Sequence, residues 1–276
     1  TFHGNTAVIN GGGAYFADGG ALDRCIFTGN AAGAGGGVYC WGGVTMDNCL
    51  VSGNSAENEG SGQGGGVWND SLSTFNNCTI VDNTADDQCG GLYMQDNDPV
   101  VNCIVIGNSA SRDSNHRYGS YSFSCTTPAM SGTGNITNDP QFVNAAAGDY
   151  HLWTNSPCIN TGTNKDWMTG ATDVDGRPRI IAEIADMGAY EYPLPTVDIT
   201  NVNESLSAYA ATYTLGGTNN EYVVGIMTWT NALTGSSGTF APSLSWTVPD
   251  ISLAFGTNVI TVSGTKKAEV ARMMAP

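Results

Sequence analysis

Apolar and polar positions alternate in short runs along the first 110 residues, and the runs recur. Val38-Tyr39-Cys40, Val44-Thr45-Met46 and Cys49-Leu50-Val51 are separated by Gly, Asn and Asp. Period-two alternation of this length predicts short strands, and it places Val38, Cys40, Val44, Met46, Cys49 and Val51 on one face. One copy cannot bury that face, whereas stacked copies bury a continuous core. The pattern therefore predicts a solenoid whose unit is strand, corner, strand, corner, strand.

Three registers carry the repeat. Gly triplets stand at Gly11-Gly12-Gly13, Gly35-Gly36-Gly37 and Gly64-Gly65-Gly66, with Gly90-Gly91 as a shorter fourth copy. Their last residues are 24, 29 and 25 apart, and Cys25, Cys49, Cys78 and Cys103 keep the same steps. Asn30, Asn54, Asn83 and Asn108 follow those cysteines at a constant distance of five residues. The fold class expected is all-β: a right-handed parallel β-helix of 24–29 residues per rung, with rungs about 4.8 Å apart. The longer step reads as a solvated loop within 54–64, around Glu57, Asn58, Glu59 and Ser61. Gly and Asn suit left-handed corners, and stacked Asn side chains can hydrogen-bond from rung to rung.

Gly35-Gly36-Gly37-Val38-Tyr39 and Phe27-Thr28-Gly29-Asn30 resemble the GGA(I/V/L) and FxxN repeats of the chlamydial polymorphic outer membrane proteins. The third Gly replaces Ala, and Val51, Ile80 and Val105 replace Phe in later copies. The resemblance spans roughly residues 1–110 and implies a β-helix and an adhesive role. After Asn108 the period lapses, and 109–134 reads as loop. Beyond it come Ser156-Pro157-Cys158-Ile159-Asn160-Thr161-Gly162, Asp173-Val174-Asp175-Gly176-Arg177-Pro178-Arg179 and Asp186-Met187-Gly188-Ala189-Tyr190-Glu191. These closely resemble the SPxIxxG, DxDGxxR and DxGAYE elements of the choice-of-anchor Q region of bacterial secreted β-helix proteins, with Cys158 in place of an Ala. That resemblance implies an extracellular, cell-surface setting. Because a solenoid end must hide its core, 135–192 is expected to cap the coil of 1–134.

Pro193 and Pro195 mark a linker. Alternating runs follow at Val197–Ile199, Ala211–Leu215, Val223–Trp229, Leu244–Val248 and Val259–Val262, with turn signals at Gly216-Gly217, Gly235, Gly238 and Gly256. They predict a small Ig-like sandwich over 193–265 without a disulfide, followed by a mobile tail at 266–276.

Composition narrows the function classes. Of 276 residues, 37 are Gly and 12% are charged, which excludes a disordered polyelectrolyte and an ordinary helical domain. Nine basic and 25 acidic side chains give a net charge of -16. Such a surface repels nucleic-acid phosphates and anionic membranes and attracts cations. No run is long and apolar enough for a membrane span. The chain opens at Thr1 inside a repeat, which is expected of a processed chain or a fragment.

Candidate chemistry is sparse. The register cysteines are expected to point inward as a thiol stack, with a disulfide as the alternative; Cys40, Cys89, Cys125 and Cys158 leave one further bridge open. Tyr15, Tyr39, Trp68 and Tyr93 each follow an inward residue, so they form an outward column. It is either self-stacked packing or a platform for a cell-surface glycan or a neighbouring copy of the chain. Asp96, Asp98, Asp173 and Asp175 are oxygen donors suited to calcium, or else plain solvated acids, since none follows the twelve-residue calcium loop. An enzyme of the polysaccharide lyase or glycoside hydrolase kind would have to use Arg112, His116, Arg117 and Tyr118. Those residues sit in the unpatterned stretch, so the expectation is a non-catalytic, adhesive or fibre-forming surface protein.

Overall fold

The computed structural model describes residues 1–181, 183–193, 197–201, 211–220 and 222–266, and the chain divides into two compact units, Thr1–Tyr192 and Pro193–Pro276. The proposed linker at 194–196 and the tail from 267 onward lie outside the described residues.

The first unit is a parallel β-solenoid of about five coils. Four sheets line it rather than the three expected. The first contains Ala14–Phe16, Val38–Cys40, Val67–Asn69, Leu92–Met94 and His116–Arg117. The second contains Gly20–Asp23, Val44–Asp47, Thr74–Asn76, Pro99–Val101 and Ser120–Ser122, and the third runs from Phe2–His3 through Ile26–Thr28 to Cys125–Thr126. The extra sheet is made of short strands, Ala31–Ala32, Ser55–Ala56, Thr84–Gln88 and Ser109–Arg112. Its two-residue members are too brief for alternation to reveal.

Inside the coils Phe27, Val38, Val44, Met46, Val51, Phe75, Ile80, Leu92 and Val105 are fully buried in one core. Each such side chain contributes about 1.5–3 kcal/mol. Asn30, Asn54, Asn83 and Asn108 are buried at the corner between the third and fourth sheets. Each donates its backbone N–H and its side-chain amide to the Oδ1 of the next, from Asn5 through Asn30, Asn54 and Asn83 to Asn108. The left-handed residue is not the asparagine but the one before it: Gly29, Gly53, Asp82 and Gly107. The Gly triplets serve the same stack. A Cβ on Gly66 would stand 2.8 Å from Gly91 O and 2.9 Å from Asn83 Nδ2, so the ladder requires its absence.

The period does not lapse after Asn108. His116 lies in register with Leu92, Arg117 with Tyr93, and Cys125 with Ile104. The repeat is hidden because other residues take over its bonds. Asn115 Oδ1 closes the asparagine ladder at 2.8 Å from Asn108 N, and Ser124 Oγ replaces a cysteine by accepting Cys103 N–H at 3.0 Å.

The segment 135–192 does not, as a whole, cap the coil. Residues 127–136 cover that end: Met130 packs on the core, Asn135 bonds Ser124 N and Tyr121 O, and Ile136 bridges Cys125. The remainder is a strap laid lengthwise along the corner between the second and third sheets. That corner is left-handed at Arg24, Asn48, Asn77 and Asn102, which frees their side chains to face the strap. Asn102 bonds Thr163, Arg24 bonds Thr172, Asn48 bonds Arg179 and Asn77 bonds Asp186 O.

The second unit has two antiparallel three-stranded sheets. One pairs Thr212–Asn219 with Val197–Ile199 and Ser245–Ser252, and the other pairs Val223–Asn231 with Ser237–Phe240 and Ile260–Lys266. Leu215, Trp246, Val248 and Ile251 of the first share a core with Val223 and Met227 of the second, forming a small sandwich. Gly216-Gly217 and Gly238, read above as turns, lie within strands. Aromatic rings explain two of these three: a Cβ on Gly217 would meet the Trp246 ring at 2.1 Å, and one on Gly238 the Trp229 ring at 2.6 Å.

Candidate functional site

Strict register along the first sheet places Tyr15, Tyr39, Trp68 and Tyr93 directly above one another on its outer side. Their ring centroids are 5.3, 4.2 and 5.9 Å apart, with planes within 15° of parallel. Offset stacks of this kind contribute about 0.5–1.5 kcal/mol per pair beyond burial. Arg117 completes the column. Its guanidinium lies 5.4 Å from the Tyr93 centroid and 4.5 Å from that of Tyr118, and it donates to Gln88 Oε1, Tyr93 Oη and Tyr118 Oη at 3.0–3.1 Å.

The middle rings are occupied by one another. Tyr39, Trp68 and Tyr93 are only 6–8% exposed and form a buried cluster with Cys89. Burial, with smaller contributions from Tyr15 and Asp70, pushes the Tyr39 phenol up to about 12. Only the ends and flank remain open. Tyr15 is 53% exposed, and Trp41 is 51% exposed and lies 6.4 Å from Trp68, nearly coplanar in orientation. Trp41 was not singled out above. It stands two residues after Tyr39, the spacing that keeps a side chain on the same face, but it falls just past the strand end at Cys40.

The four residues considered for cleavage chemistry do not converge. His116 points into the coil, is buried, contacts Tyr121 and bonds Pro128 O at 3.2 Å. Burial holds its imidazole below the ordinary range. Arg112 is committed to Asp87 through bonds of 2.6–2.9 Å. Arg117 and Tyr118 stack on the outside of the coil.

The four calcium candidates are likewise dispersed. Asp96 is exposed. Asp98 accepts Asn69 Nδ2 and the N–H groups of Leu72 and Ser73. Asp173 accepts the N–H groups of Asp175, Arg177 and Glu191, and Asp175 accepts from Arg177 and pairs with His151 Nε2 at 2.7 Å. Donors thus aim at the oxygens of Asp98, Asp173 and Asp175, where a cation would need open lone pairs. No cluster of three or more metal-ligating side chains occurs among the described residues.

The strap's sequence elements form a buried electrostatic network. Arg179, fully buried, bonds Glu191 through Nε at 2.9 Å and through Nη2, and also Gly188 O at 3.0 Å. Asp186 accepts Asn160 N and Tyr192 N. Burial pushes both the Glu191 and the Asp186 carboxyl upward, while Arg179 beside them opposes that rise. The DxDGxxR and DxGAYE elements therefore hold the strap to itself and to the coil. No family model, curated protein or solved structure matches this chain.

Proposed function

We propose that this chain is an extracellular, non-catalytic surface protein that binds a neutral glycan on the aromatic ledge along the first sheet, through its exposed rings Tyr15 and Trp41. The carrying observation is that these two rings stand half-exposed at the end and flank of an otherwise buried, rigid column. Rigid aromatic surface beside polar groups is what a sugar ring requires, since its C–H face stacks while its hydroxyls hydrogen-bond. Asp18, whose backbone lies beside Gly42 next to Trp41, and Asp70, near Tyr39, supply acceptors. A net charge of -16 disfavours uronate or sulfate polymers, so the glycan is neutral.

The surface setting is supported by the strap's resemblance to the choice-of-anchor Q region and by the repeats' resemblance to chlamydial outer membrane repeats. The C-terminal sandwich is read, on the same basis, as an Ig-like spacer module of a bacterial surface protein.

The test is a glycan array probed with the wild type, Tyr15→Ala, Trp41→Ala and Trp167→Ala, the last a partly exposed ring on the strap. Each ledge variant should weaken binding to neutral oligosaccharides by about tenfold or more, equivalent to ~1.4 kcal/mol, while still unfolding in a cooperative thermal transition. Trp167→Ala should bind normally. Failure of the wild type to bind any neutral glycan, or equal binding by all four proteins, would end this reading.

A further inference from the structure

All eight cysteines are thiols in this structure, and they fall into three settings. Cys25, Cys49, Cys78 and Cys103 form a column whose neighbouring thiols touch. Parallel in-register strands aim their Cβ atoms alike, about 4.8 Å apart, beyond the roughly 3.5–4.5 Å a disulfide needs. Cys40 packs in the main core, and Cys89 packs against the aromatic column.

Cys125 and Cys158 are different. Cys125 begins the last strand of the third sheet in register with Ile104, outside the cysteine column, whose next position is held by Ser124. Cys158 comes from the strap. Gly188, next to the Met187 that bonds Cys158, lies against Ile104, the register partner of Cys125, so the two thiols, both in fully buried residues, meet where the strap crosses the last coil. Cys125 Sγ also donates to Asn138 O at 3.1 Å, and Cys158 O accepts Met187 N at 3.0 Å, so both elements are held in place. No parallel register governs this pair, and their side chains approach from separate segments.

We propose that Cys125 and Cys158 are a disulfide site that locks the strap to the last coil. The bond forms by exchange with a small-molecule disulfide such as oxidised glutathione. One protein thiolate attacks a reagent sulfur and expels a glutathione thiolate. The second attacks the protein sulfur of the mixed disulfide and expels the other. The two protein thiols give up two protons, and two electrons pass to the reagent, which ends as two thiols. In the folded reduced protein the Cys125 thiol and burial hold the Cys158 thiol far above its ordinary range, so exchange there is slow and closure accompanies folding.

The experiment refolds the reduced, denatured full chain in a glutathione redox buffer, quenches with acid, alkylates remaining thiols with N-ethylmaleimide in denaturant and maps the digest by mass spectrometry. The expected result is one linked pair, Cys125–Cys158, with the other six of the eight cysteines alkylated. The urea midpoint of the oxidised protein should exceed that of the reduced protein, and a reductant should leave the midpoint of Cys158→Ala unchanged. Eight alkylated cysteines, a linkage within the Cys25–Cys103 column, or a persisting reductant effect in Cys158→Ala would each overturn the proposal.

Discussion

Asn54 donates both its backbone N–H and its side-chain amide to the single Oδ1 of Asn83, each at 2.9 Å. Truncating Asn83 leaves the buried Asn54 N–H without its acceptor and takes the Asn83 amide donor away from Val51 O and Val81 O, while Asn108 Oδ1 keeps only the residue-83 backbone N–H. Each stranded group costs about 1–3 kcal/mol. Asn83→Ala is therefore expected to lower the urea midpoint severely. Asn5→Ala, at the exposed end of the ladder, should have a small effect; equal losses would show that the ladder's interior is not special.

Glycines separate into two mechanisms. Gly66→Ala meets Gly91 O and Asn83 Nδ2 below 3.0 Å, whereas Gly53→Ala meets nothing but must hold a φ of +63°. The second costs about 1–2 kcal/mol for the left-handed backbone. The first must spread two coils, and its loss of stability by urea unfolding should be clearly larger.

Arg179 neutralises a carboxylate in a buried site. Arg179→Met leaves Glu191 uncompensated and should cost about 3–5 kcal/mol at neutral pH. The double variant Arg179→Met, Glu191→Met should recover much of that loss. Burial raises the Glu191 carboxyl in the fold and Arg179 opposes the rise, so losing the arginine makes the folded state hold a proton more tightly relative to the unfolded state. The single variant should thus be most stable below the ordinary glutamate value and weaken as pH rises through the window from there to the raised folded value. A flat difference from wild type across that range would refute this.

His116 gives the opposite slope. Burial lowers its folded value from 6.5, so on acidification the unfolded chain takes up the proton first. The stability it permits is complete above 6.5 and drains away as pH falls toward the folded value. His116→Leu, which copies its register neighbour Leu92, should remove that part of the acid sensitivity. Chemical unfolding of both proteins at pH values from neutral to acid tests it, and parallel curves would contradict it.

The coil was legible because its period is written in residues with no substitute: Gly66 where a Cβ would collide, and Asn83 where one amide bridges two neighbours. It became illegible past Asn108 because Ser124 and Asn115 make the same bonds with different side chains. The short fourth sheet escaped because two residues carry no alternation. The strap's elements were visible as words, yet their partners lie as many as 148 residues away, as between Arg24 and Thr172. Of the proposed ledge, Tyr15 was visible through its register, while Trp41 was hidden by standing outside a strand. Gly216-Gly217 misled because an unaccompanied glycine pair signals a turn, and only the Trp246 ring above it shows otherwise.

The strap also has an arithmetic consequence. It bonds the same corner in four successive turns, at Arg24, Asn48, Asn77 and Asn102. Most solenoids can gain or lose a turn with little penalty, since each contacts only its neighbours. Here a duplicated or deleted turn would shift every later attachment out of step with a segment of fixed length. The strap is thus a ruler, and it turns the number of coils from a free parameter of the repeat into a counted property of the protein.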